Sequence, residues 1–137
     1  MVAHIMFIVV VTVPDPTLTP GVVRSLTTAQ ICATAWGHDR RHVTETMKVE
    51  IAKRYARRRT EIKPRGQGPC CEVDHLIPRE LGGADDVDNL WPQPWVEAQQ
   101  KDIEENRLHR AVCAGEIELQ AAQEQMRHWG RAPRVDR

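Results

Sequence analysis

The sequence predicts an α+β domain, mostly helical and built around one short β-hairpin. Three observations predict it. Apolar residues recur at helical spacing at Val43, Met47, Ile51 and Tyr55, and again near one face at Val96, Ile103, Leu108 and Val112. Between these stretches lie two short extended runs, residues 71–77 and 89–92, joined by the turn-rich connection 80–86. The chain has 137 residues, enough for one compact domain and too few for two ordinary ones.

The elements follow in order. Residues 1–13 are apolar, too short for a helix that spans a bilayer, and lack the basic start of a secretory signal. No stable membrane insertion is expected, and the compartment stays open between cytoplasmic and exported. Pro14, Pro16 and Pro20 mark a proline-rich linker, so residues 1–20 are set apart and the domain is expected to start near Gly21 or Val22. Thr27 and Gln30 fit a capping box, opening a short helix that stops near Gly37. A longer helix is expected over residues 43–58, broken by the Pro and Gly residues of 63–69. Residues 71–77 read as a strand ending at Pro78, and 89–92 as a second extended piece. Helices are expected over 96–112, ended by Gly115, and over 118–129. The domain runs to about residue 130, and 131–137 form a polar tail.

The formal net charge is zero, so overall charge does not point to nucleic acid. The distribution does more. Residues 40–65 are rich in Arg and Lys, while 72–105 are rich in Asp and Glu with only Arg79 and Lys101 as cations. A basic face suits a phosphate backbone, and an acidic pocket suits a metal ion. Two solvated faces of opposite charge would give the same pattern. Cys32, Cys70, Cys71 and Cys113 form no C-x-x-C pair, so a structural zinc site is not expected. In an oxidising compartment the preferred disulfide is Cys32 with Cys113, each near the end of a predicted helix.

The chemistry concentrates at Asp74-His75 and at Asn89, fourteen positions after the histidine. Phosphodiester hydrolysis needs a base to deprotonate water and a cation to offset charge on phosphate and leaving oxygen. An imidazole with its ordinary pKa of about 6.5 suits the base, and a carboxylate suits a magnesium-like ion. Neighbours on a strand face opposite sides, so both groups serve one site only where the strand bulges or ends.

The stretch from Glu72 through Asp74-His75-Leu76-Ile77-Pro78, Gly82-Gly83 and Asn89-Leu90 resembles the HNH endonuclease motif. The motif covers about a seventh of the chain, and a looser likeness to small bacterial HNH-like proteins covers most of it after Thr19. The resemblance implies a ββα-metal fold around one divalent ion, Mg or Mn. It implies His75 as general base, Asp74 as metal ligand, and Asn89 as ligand or as the residue that fixes the loop orienting His75. It implies a metal-dependent endonuclease with nucleic acid, by default DNA, as substrate. Related nucleases often carry a further His or Asn on the helix about nine positions after the Asn; here that position is Ala98. Glu97 or Asp102 is the substitute on offer. Arg57, Arg58, Arg59, Lys63 and Arg65 are the candidates for backbone contacts. Two other readings stand beside this one: a degenerate HNH-shaped module that binds nucleic acid without cutting it, and an exported, disulfide-stapled interaction domain.

Overall fold

The computed structural model describes residues 13–131. The expectations for the apolar N-terminus and the polar tail fall almost wholly outside that range. The chain folds as a small α+β domain: α1 (Thr28–Ala33), α2 (Glu45–Arg54), β1 (Cys71–His75), β2 (Leu90–Pro94), α3 (Trp95–Cys113) and α4 (Leu119–Arg127), with short 3-10 turns between. No described helix is long and apolar enough to cross a membrane.

Local chemistry sets the helix ends. The Thr27 hydroxyl accepts from the Gln30 N–H at 3.1 Å, and the Gln30 side-chain Oε1 accepts from the Thr27 N–H at 2.9 Å, which completes the capping box of α1. Thr44 caps α2 in the same position, accepting from the Met47 N–H at 3.2 Å. Helix α2 ends at Arg54, short of the expected 58. Ala56 takes φ +51, and the Arg57 N–H returns to the Ala52 carbonyl at 2.8 Å. These bonds make a Schellman turn with alanine where glycine is usual, so the arginine run leaves the helix.

Strands β1 and β2 pair antiparallel, with Cys71 opposite Pro94 and His75 opposite Leu90. Both strands are edges, which is why Pro92 and Pro94 are tolerated. Strand β2 runs straight into α3, and the Trp95 N–H is satisfied by the Cys70 carbonyl at 2.9 Å. Helix α2 covers one side of the hairpin through Ile51, Ala52, Ile62 and Leu90, with Val73 against them. A second core joins Ile77, Leu81, Leu108, Val112, Ala122 and Met126 from the strand connection, α3 and α4. The proline-rich stretch is docked along its described part. Pro14 and Thr19 are buried, and the Thr19 hydroxyl meets the Tyr55 hydroxyl at 2.6 Å and the Leu90 carbonyl at 3.1 Å.

Cys32 and Cys113 are joined, with Cα atoms 5.7 Å apart, which ties α1 to the end of α3. Cys70 and Cys71 are also paired, so no cysteine is free.

Candidate functional site

The loop between the strands is shaped by three residues that the sequence pattern singles out. Gly82 has φ +87, the left-handed region that glycine enters at no steric cost. A Cβ on Gly83 would lie 1.7 Å from the Ile77 carbonyl oxygen, so no side chain fits there. Asn89 is fully buried and clamps the loop: its Oδ1 accepts from the Ile77 N–H, and its Nδ2 donates to the carbonyls of Ile77 and Ala84, each at 3.0 Å. The Asn89 amide is therefore spent on the backbone that follows His75, and it is not turned toward a cation.

His75 closes β1, with its side chain only 9% exposed. Its Nε2 lies 2.7 Å from Asp85 Oδ1, while among the described residues Nδ1 makes no hydrogen bond. Asp85 is held in turn by the His42 N–H at 2.8 Å and by Arg79 Nε at 3.3 Å. Burial holds the His75 pKa below the ordinary histidine value, against the upward pull of Asp85, so the ring is neutral at neutral pH. Burial works against the Asp85 carboxylate too, but the donors from His42 and His75 outweigh it and hold its pKa below the usual range.

Asp74 reaches the same cleft from the neighbouring position, as the strand end allows. The cleft, of about 350 Å3, is lined by Arg41, Asp74, His75, Arg79, Glu105 and Asn106 among others. Asp74 Oδ2 accepts from the Trp91 indole N–H at 2.8 Å and lies 2.9 Å from the Lys101 ammonium. Lys101 is wholly buried and also donates to the His75 carbonyl at 2.8 Å and to Glu105. Burial penalises its charge, but Asp74 and Glu105 more than compensate, and its pKa is raised. Burial raises the Glu105 pKa, and the Lys101 ammonium that donates to it opposes that rise by favouring the carboxylate.

Comparison of the chain with family models, with curated proteins and with solved structures finds no match. The reading of the site therefore rests on its own geometry.

Among the described residues, no three His, Cys, Asp or Glu side chains converge to hold a metal. The Asp74 oxygen nearest the helix already carries an ammonium and an indole N–H. A doubly charged ion within about 4 Å of that ammonium would meet a repulsion of roughly 8 kcal/mol at an effective dielectric of about 20. The expected Asp74 and Asn89 pair does not fit a divalent ion. The two substitutes on α3 stand elsewhere: Asp102 is 2.7 Å from Arg65, and Glu97 lines a small hollow with Val13, Trp91 and Trp129.

The basic candidates are largely engaged with acids. Arg59 grips Glu45 through two bonds, of 2.6 and 2.7 Å. Arg57 and Arg58 both neighbour Glu61, at 3.6 and 3.3 Å. Arg65 bridges Glu72 and Asp102. Lys63 and Arg65 also help to line a groove of about 670 Å3 with Arg41, Lys48 and Arg59, where Glu72 is the one acid among the described lining residues. Arg41 lines both this groove and the His75 cleft, so the two are neighbours. A larger, mostly apolar groove of about 970 Å3 beside Leu108 and Met126 contains none of these groups.

Sequence reasoning missed Asp85, Lys101, Glu105 and Arg41. Asp85 sits in a run of turn residues, and Lys101 reads as one more surface cation on a polar helix. The available signal was that Arg79 and Lys101 are the only cations in an acidic stretch.

Proposed function

We propose that this domain is a nuclease of the HNH type that hydrolyses nucleic-acid phosphodiester bonds, with DNA the first substrate to test and His75 the general base. The observation that carries the reading is the His75–Asp85 pair at 2.7 Å, with the second ring nitrogen unpartnered in a cleft. Asp85 accepts the Nε2–H and so leaves the Nδ1 lone pair available for a proton. As Nδ1 takes a proton from the attacking water, the Asp85 carboxylate stabilises the imidazolium that forms. Arg41 is exposed and, among the described residues, bonded only to the Val73 carbonyl, at 3.3 Å, so it is well placed to turn toward a phosphate. Arg41, Lys48 and Lys63 give the strand beyond the cleft a basic track, which positions the backbone without reading bases. The exposed Arg58, held by a single 3.3 Å contact to Glu61, is weakly enough paired to exchange it for a phosphate contact.

One observation favours the second reading, a binding module of the same shape that does not cut. Asp74 is already neutralised from within the protein. Nicking of supercoiled plasmid separates the two. The nuclease reading expects cleavage by the wild type and a loss of at least about a hundredfold in His75→Ala, the scale of general-base catalysis. Absence of cleavage by folded wild type, with binding that weakens steeply as salt rises, would establish the module instead. The Cys32–Cys113 bond supports placing the protein in an oxidising compartment.

A further inference from the structure

We propose that the Lys101 ammonium is the built-in counter-charge of this cleft, balancing from within the protein the Asp74 carboxylate to which the HNH resemblance would bring a divalent metal ion. The inference deepens the nuclease reading, but its evidence is separate from it. An ammonium carries three protons and no acceptor. Here each proton has an oxygen: Asp74 Oδ2 at 2.9 Å, the His75 main-chain carbonyl at 2.8 Å, and a Glu105 carboxylate oxygen. The group is fully satisfied at zero exposure, on a residue type that is almost never wholly buried unless paired.

The three oxygens are of the kind a hard divalent ion would choose: two carboxylates and a carbonyl. Both carboxylates line the cleft beside His75. The ammonium therefore stands behind the acidic wall of the cleft and neutralises it, which a bound metal would otherwise do. It also grips the carbonyl of His75 itself, so the backbone that carries the base is pinned to α3. A lysine on a long helix is a permanent part of the fold. A metal is bound and lost with conditions. The consequence is an acidic wall whose charge stays balanced in the presence of a chelator.

The test is a titration of the full-length protein with MnCl2, following the free-ion electron paramagnetic resonance signal, with no nucleic acid present. Wild type is expected to bind Mn2+ no more tightly than about millimolar, the weak end of protein divalent sites. Lys101→Ala should gain a site at least about tenfold tighter, by leaving the Asp74 and Glu105 carboxylates uncompensated. Lys101→Ala/Asp74→Asn should lose that site again. Wild type that binds Mn2+ well below millimolar, with the binding removed by Asp74→Asn, would overturn the proposal, and this arm needs no Lys101 variant to fold. A folded Lys101→Ala protein with no gain in Mn2+ binding would overturn it as well. Cleavage does not enter these readouts, so a protein that never cuts would defeat the nuclease reading and leave this one standing.

Discussion

Removal of the Cys32–Cys113 bond is the perturbation whose size the structure fixes best. The bridge closes a loop with a sequence separation of 81 residues. In the chain-entropy treatment a loop of that length removes about 15 cal/mol/K from the unfolded ensemble, which is roughly 4.5 kcal/mol at room temperature. Both cysteines are exposed, so Cys32→Ser/Cys113→Ser opens little cavity and the loss is nearly all loop entropy. The short helix α1 buries only Ile31, so the bridge is its second tie to the domain. A chain of 137 residues unfolds with an entropy near 0.29 kcal/mol/K at about 2.1 cal/mol/K per residue, so the melting temperature should fall by about 15 °C. The assay is urea unfolding followed by tryptophan fluorescence, with the double variant and the dithiothreitol-treated wild type compared against oxidised wild type. At a urea slope of about 2 kcal/mol/M the midpoint should drop by roughly 2 M in both cases. A drop equivalent to less than about 1 kcal/mol would show that the two thiols are not bonded in solution or that the unfolded chain is already compact, and the entropy argument would fail.

Three further outcomes follow from the site. Asn89→Ala removes three hydrogen bonds at once, two of them buried, and strands the Ile77 N–H, so stability should fall by about 3 kcal/mol in the same urea assay; a loss under about 1 kcal/mol would mean that the loop keeps its shape without the clamp. Replacing Arg41, Lys48 and Lys63 together with Ala should flatten the dependence of log binding constant on log salt by up to about 3 for duplex DNA, and an unchanged slope would remove the groove from the interface. Because burial lowers the His75 pKa in the folded state, the ring resists protonation that the unfolded chain accepts near the ordinary value of 6.5. The stability it contributes is therefore present above about pH 6.5 and declines as pH falls toward the folded value, and the acid limb of any cleavage profile should lie below 6.5. Asp85→Asn should cut the rate by about a hundredfold or more and displace that limb; a limb at or above 6.5 that ignores the substitution would remove His75 from the role of base.

The legible parts of the fold were those written in short stretches of chain. The Thr27 and Gln30 box, the start of β1 at Cys71, and the helices over α3 and α4 each depend on residues within a turn or two of one another, whereas β1 ends at His75, two residues short of the expected 77. Gly82-Gly83 signalled a tight turn, and the structure supplies the reason in the Ile77 carbonyl pressed against Gly83. The end of α2 was misjudged by four residues because alanine at position 56 adopts a backbone that composition assigns to glycine. The docking of the proline-rich stretch was invisible for another reason. Its anchors, Tyr55 and Leu90, lie 36 and 71 positions away from Thr19.

The sequence by itself determined where chemistry is concentrated: an acid and an imidazole at a strand end, a glycine turn, and an amide before the second strand. Those are local patterns, and local patterns survive in one dimension. Only the tertiary structure decided how the charges are shared. Asp85 orients His75 across the loop, the Asn89 amide clamps backbone, and Lys101 is drawn into the interior 26 positions from the histidine whose carbonyl it holds. A lysine read along a polar helix carries no mark of this. Whether it faces water or two carboxylates depends on how α3 packs against the hairpin, and that packing is the summed result of both hydrophobic cores.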